Sequence, residues 1–284
     1  MKSIDFLKIL LRGISQVMLQ NNTLTGLLFL AGIFYNSWLM GLGALIGVFT
    51  STITAFILNY KKKDIYDGLY GFNGVLIGVA LLFFFKANIL LVCLIILGSI
   101  LSSTIMHFMH EKKLAPYTFP FVLPAWILIF LINFFGLVPL KAQEWINTGN
   151  LNIMSSLSMG FGQVMFQASI VTGIIFLIGI LINSKRAAIY AFIGSFMGML
   201  IAFIFSFPLD LVNIGVFGFN GVLCGIAFAS KKKYSLFYAT VSIIISVFIV
   251  YEMIGFNLIA LTAPFVFSAW VTLALQRIIG LIHR

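Results

Sequence analysis

GLYGFNGVLIGVA at residues 68–80 and GVFGFNGVLCGIA at residues 215–227 are one segment written twice, with nine of thirteen positions identical at an offset of 147. The same offset holds upstream. Gly13, Gln16-Val17-Met18, Thr25-Gly26 and Phe29-Leu30 fall on Gly160, Gln163-Val164-Met165, Thr172-Gly173 and Phe176-Leu177. Downstream, TFPFVLPAW (118–126) matches TAPFVFSAW (262–270) at an offset of 144. Matches in the same order along most of each half imply an internal duplication. The divisions read from it are a first repeat over 1–140, a polar linker over 141–156 and a second repeat over 157–284.

The repeated unit is built for a bilayer. The chain has 284 residues, 62% of them apolar and 8% charged, with a mean hydropathy of +1.14. A soluble domain of this size needs far more charge on its surface. Apolar runs follow one another with short breaks, as a hydrocarbon core ~30 Å thick requires of spanning helices. The predicted spans lie near 24–36, 38–60, 69–85, 88–110 and 118–139, then 169–184, 187–207, 214–230, 234–251 and 262–282. Short segments near 5–20 and 157–167 are too brief to span and read as re-entrant. The fold class is therefore all-α integral membrane: two repeats of five transmembrane helices, each with one short re-entrant helix.

Five crossings per repeat is an odd number, so the second repeat enters from the opposite side. The charges support that count independently. With the N-terminus cytoplasmic, fifteen of the seventeen Lys and Arg residues fall inside, including Lys61–Lys63, Lys112-Lys113, Lys185-Arg186 and Lys231–Lys233; only Lys86 and Lys141 fall outside. That is the positive-inside pattern, with both termini cytoplasmic. The net charge of +10 is thus explained without nucleic acid, and no basic face interleaved with aromatics offers itself to phosphates. Cys93 and Cys224 sit in apolar runs and read as small buried hydrophobes.

An inverted repeat places a pathway at the repeat interface, lined by the same residues twice. The repeated polar or pathway-facing candidates are Gln16 with Gln163, Phe72-Asn73-Gly74 with Phe219-Asn220-Gly221, Leu76 with Leu223, and Thr118 with Thr262. Each has a plainer reading: a Gln bonded to a neighbouring helix, Phe and Leu as packing, Asn-Gly as a turn, Thr as a helix cap. In the T-x-P-F motifs, Thr reads as a cap and Pro as a first-turn residue, so the preceding backbone is expected to be non-helical with free carbonyls. At membrane depth such backbone must line a cavity or be buried in protein.

All seven acids fall at predicted span ends or loops. His107, His110 and Glu111 could suggest a metal or proton site, but read better as an interfacial cluster beside Lys112 and Lys113. No cofactor or metal site is expected. No carboxylate–His relay crosses the membrane and no nucleophile–base pair is visible, which disfavours proton coupling and argues against an enzyme. Gln, Thr, carbonyls and aromatics suit a small neutral polar solute.

At these residues the chain resembles the urea transporter family. RGISQVMLQNNTLTG (12–26) is similar to its first-half signature. YGFNGVLIG and FGFNGVLCG resemble its paired Asn segments, and LAPYTFPF (114–121) and LIALTAPF (258–265) its repeated L-P-x-x-T-x-P-F motif. The resemblance implies passive permeation of urea through a slot with aromatic and aliphatic faces and hydrogen-bonding oxygens on one edge. It implies a homotrimer in the cell (inner) membrane, with one pore per protomer and with urea and the lipid bilayer as partners. By motif position, Thr118 and Thr262 mark a central site, Leu76 and Leu223 its walls, Phe72 and Phe219 outer-site aromatics, and Gln16 and Gln163 outer polar groups. Phe166 matches a further pore aromatic. Leu19 stands at its first-half equivalent, and Ala115 and Ile259 replace the motif prolines. A channel for another small neutral solute (a short amide, ammonia or water) and an ion-coupled transporter are the alternatives.

Overall fold

A computed structural model describes residues 3–142 and 149–282. Residues 143–148 of the expected linker, and Lys2, His283 and Arg284, lie outside that range. The chain divides into two compact units, Met1–Glu144 and Trp145–Arg284.

Seven helices in the first unit have seven counterparts in the second. The first holds α1 (Ser3–Gln16), α2 (Thr23–Asn36), α3 (Trp38–Ile57), α4 (Lys62–Tyr66), α5 (Phe72–Phe84), α6 (Ile89–Glu111) and α7 (Phe119–Phe135). The second holds α8 (Ile153–Gly162), α9 (Ile170–Asn183), α10 (Lys185–Ile204), α11 (Leu209–Asn213), α12 (Phe219–Phe228), α13 (Ser235–Gly255) and α14 (Ala263–Ile282). The last four residues of the expected linker form the first turn of α8. The short α4 and α11 lie between the predicted spans; each turns the chain into the helix that carries Phe-Asn-Gly.

The duplication is written in backbone geometry as well as in residues. Left-handed φ angles recur at matched places: Leu19 and Phe166 (56° and 60°), Asn59 and Ser206 (53° and 55°), Gly68 and Gly215 (75° and 79°), Lys113 and Asn257 (54° and 55°), Tyr117 and Leu261 (45° and 46°). Such angles are uncommon for residues with a Cβ and persist only where surrounding structure holds them. Four of the five pairs differ in residue type, so they are invisible to identity counting.

Helices occupy all ten predicted spans, but their lengths differ from the reading. Among the described residues, four are long and apolar enough to cross a membrane: α3, α6, α10 and α13. A fifth apolar path is the α8–α9 pair, which includes a 3₁₀ turn at Gln163–Met165 and bends by 73°. The helix α5 has 13 residues and α12 has 10, or about 20 Å and 15 Å at 1.5 Å per residue, short of a ~30 Å core. They are short because 67–71 and 214–218 form turns through Gly68 and Gly215 rather than a first helical turn. Helix α7 likewise begins only after Tyr117.

Packing follows membrane logic. The buried face of α10 carries Ala187, Ala188, Ala191, Gly194, Ser195, Gly198 and Ala202. Its exposed face is a stripe of Ile189, Phe192, Phe196, Leu200 and Phe203. Small residues let backbones approach where burial of apolar surface brings little between lipid-soluble helices. Close backbone approaches of this kind join α3 to α5 and α10 to α12. A Cβ on Gly47 would overlap the carbonyl oxygen of Gly74, and one on Gly194 that of Gly221. Of the two cysteines, Cys224 is buried as expected, whereas Cys93 is exposed on α6. On a helix this apolar a small thiol tolerates either face.

Three rings hold corresponding corners of the two units. Tyr60 stacks on His107 with centroids 3.7 Å apart at 6°, and Tyr60 meets Tyr70 at 5.0 Å and 44°. At the matched positions Phe207 stacks on Tyr251 (3.9 Å, 10°) and meets Phe217 (5.1 Å, 45°). His107 therefore has a geometric counterpart that comparing histidines cannot find.

Candidate functional site

The first-unit candidates gather around α5. Phe72 and Leu76 are one turn apart on it, both buried. Helices α1 and α7 pack against it; Gln16 is the last residue of α1, and Thr118 directly precedes α7. Gln16 donates from Nε2 to the Asp67 carbonyl at 3.1 Å, so its amide is tied to the turn that launches α5. Asn21 holds the Asp67 side chain at 3.0 Å, and Arg12 reaches the Tyr66 carbonyl at 2.9 Å.

The second-unit candidates gather in the same way around α12. Phe219 is half-buried and Leu223 fully buried one turn on. Gln163, 9% exposed, and the half-buried Phe166 belong to the break between α8 and α9, which packs on α12. That break is stitched alike in both units. Leu19 N donates to Gln16 O at 2.9 Å and Phe166 N to Gln163 O at 3.0 Å. Gln20 and Gln167, both buried, donate from Nε2 to the carbonyls of Met18 (2.7 Å) and Met165 (2.6 Å). Their identity at the 147 offset is legible in the sequence, and their work is to satisfy broken backbone.

Thr118 and Thr262 are each 1% exposed and each follow a left-handed residue. The expected non-helical backbone before each Thr is present. Pro120 sits in the first turn of α7 as expected, and Thr118 occupies the N-cap position. The capping reading itself is corrected: the Thr118 side chain makes no capping hydrogen bond. The Phe121 amide is instead bonded to the Thr118 carbonyl at 2.9 Å. In the second unit the corresponding Phe265 amide donates to Asn220 Oδ1 at 3.0 Å, while Asn220 Nδ2 donates to the Leu261 carbonyl at 3.4 Å. Asn220 is thus more than a turn residue.

The titratable cluster near α6 resolves into pairs. Lys61 meets Glu111 at 2.7 Å, both exposed, and that carboxylate raises the lysine's affinity for its proton. His110 Nε2 lies 3.3 Å from Asp64 Oδ2, within ion-pair distance but without hydrogen-bond alignment. Tyr70 Oη lies 3.4 Å from His107 Nδ1. Lys112 sits over the Phe108 ring, 5.9 Å from its centroid. Among the described residues no group of three His, Cys, Asp or Glu is arranged to hold a metal ion.

Apolar helices with lipid-suited faces, broken at matched points where buried amides and hydroxyls collect, define a helical membrane protein of the multi-pass class. The family described as urea transporter matches residues 7–277, and the chain belongs to that family. It is 28% identical to urea transporter 1 of Ovis aries over 243 residues, covering 80% of this chain and 63% of that protein. The figures for urea transporter 1 of Rattus norvegicus are 28% over 241 residues, 79% and 63%. For that of Mus musculus they are 27% over 241 residues, 79% and 63%. The chain therefore spans somewhat less than two thirds of the length of these relatives.

Proposed function

We propose that this chain conducts urea passively across a membrane, as a channel and not as an enzyme. The observation that carries the reading is the matched pair of helix starts. Thr118 and Thr262 are buried in a chain of this family, and each follows backbone held left-handed at Tyr117 (φ 45°) and Leu261 (φ 46°). Backbone leaving the helical pattern turns carbonyl oxygens away from intrahelical bonding, and at membrane depth such groups need a partner. Urea is planar and uncharged, with four N–H donors and one acceptor. Fixed oxygens replace its water at the amide edge, and apolar walls cover its faces. An unmatched donor costs about 1–3 kcal/mol, while a hydrated cation would lose far more in such a slot.

In this reading the two units are inverted halves with the pathway at their interface, in keeping with the fifteen-to-two split of basic residues. Thr118 and Thr262 form the central site, Leu76 and Leu223 its walls. Phe72, Phe219 and Phe166 are outer aromatics, and Gln16 and Gln163 outer polar groups. The exposed stripe on α10 suits contact with lipid or with another protomer, consistent with a homotrimer in the cell (inner) membrane and cytoplasmic termini.

The test is stopped-flow light scattering on proteoliposomes in an outward or inward urea gradient, repeated with proton and sodium gradients. Urea flux above protein-free vesicles, indifferent to both ion gradients, is expected. Accumulation above equilibrium would make the chain a coupled transporter. Faster flux of water, ammonia or a short amide than of urea would reassign the solute.

A further inference from the structure

The two Phe-Asn-Gly segments are equal in sequence but not in what their asparagines do. Asn220, the second residue of α12 and fully buried, holds both sides of Thr262. Its Oδ1 accepts from Phe265 N at 3.0 Å and its Nδ2 donates to Leu261 O at 3.4 Å. Phe265 is the third residue of α14, so its amide has no intrahelical acceptor. Pro264 before it offers no N–H at all. Leu261 is held in a left-handed conformation, costly for a residue with a branched side chain. One carboxamide therefore bonds both the carbonyl just before Thr262 and the amide three residues after it.

Asn73, the twin at offset 147, is equally buried, yet neither end of its amide has a hydrogen-bond partner. In that unit the Phe121 amide bonds the Thr118 carbonyl. One Thr-containing turn is held by a side chain from another helix, the other through its own backbone.

We propose that Asn220 is a positioning residue for the permeation site: by clamping Leu261 and Phe265 it sets the placement of the Leu261 carbonyl and Thr262 against the passing solute, a role Asn73 does not share. The proposal rests on the reading that Thr262 lines the urea pathway. A helix cap alone would contribute only stability. A positioning clamp also sets discrimination, because displacing a hydrogen-bonding oxygen by a fraction of an ångström alters how a planar amide is matched.

The test compares Asn220→Leu, which keeps the branching of the side chain and removes both bonds, with Asn73→Leu, at matched protein amounts in vesicles. Thermal unfolding is followed alongside flux of urea and of N-methylurea. For Asn220→Leu, urea flux is expected to fall about tenfold and the urea to N-methylurea ratio to narrow. For Asn73→Leu both should stay within about twofold of the parent. If Asn220→Leu does not assemble, Asn220→Asp keeps an oxygen for the Phe265 amide and, when ionised, removes the donor to Leu261; it is expected to narrow the ratio too. An unchanged ratio in the folded Asn220 variant, with only a lower unfolding temperature, would make it a cap and overturn the proposal. Equal effects from the two asparagines would do the same. A parent that conducts no urea would overturn the underlying functional reading, a result read before any variant is compared.

Discussion

Replacing Thr118 and Thr262 by Val, singly and together, probes the centre of the proposed pathway. Each side chain is 1% exposed, and Val keeps nearly the same volume while deleting the hydroxyl. Loss of an N-cap ordinarily costs about 1 kcal/mol, which would confound a flux measurement with poor folding. The structure removes much of that concern: the Thr118 side chain does not cap α7, and the Phe265 amide of α14 is bonded by Asn220. The expected effect therefore falls on permeation. A hydrogen bond contributes about 0.5–1.5 kcal/mol net, and 1.4 kcal/mol corresponds to about tenfold in rate. Each single change should slow urea roughly two- to tenfold, and the double change by the product if the two sites act independently. Stopped-flow urea efflux from proteoliposomes, normalised to folded protein, measures this. Thr25→Val and Thr172→Val, at buried repeated threonines in the first turns of α2 and α9, serve as controls with mild effect. Parent-like urea flux in folded Thr118→Val/Thr262→Val protein would refute the assignment of the central site.

Two further outcomes follow from packing. Gly74→Ala places a methyl group against the Gly47 carbonyl and Ser51 Oγ and should destabilise the first unit by about 1–3 kcal/mol or more, seen as a drop of several degrees in detergent thermal unfolding; an unchanged midpoint would mean that α3 and α5 are not in backbone contact. The triple change Tyr60→Phe, Tyr70→Phe, His107→Tyr copies the ring set of the second unit onto the first. Because the geometries already match, it should cost less than about 1.5 kcal/mol; failure to assemble would show that the polar Tyr70–His107 contact is required.

Residue order alone marks this as a duplicated, helical membrane chain, because apolar runs and recurring motifs are local properties of composition. It also pointed to Gln16, Phe72, Leu76, Thr118 and their counterparts as the residues both halves kept. Helix lengths were legible only loosely. The turn at 214–218, IGVFG, is as hydrophobic as the helix it precedes, and at 67–71 the Leu69-Tyr70 pair runs into α5 without a polar break, so composition does not show where α5 and α12 begin. The matched left-handed angles at Asn59 and Ser206, or Tyr117 and Leu261, join different residue types and exist only in three dimensions. The same holds for the stacked rings, where a histidine and a tyrosine share a role because ring shape is what the corner requires. Asn73 and Asn220 make the point most directly. Their neighbours in sequence are nearly the same, yet one amide bonds the start of α14 and the other bonds nothing. The difference lies in how helices more than 40 residues apart in the chain meet, which tertiary packing decides and local sequence does not.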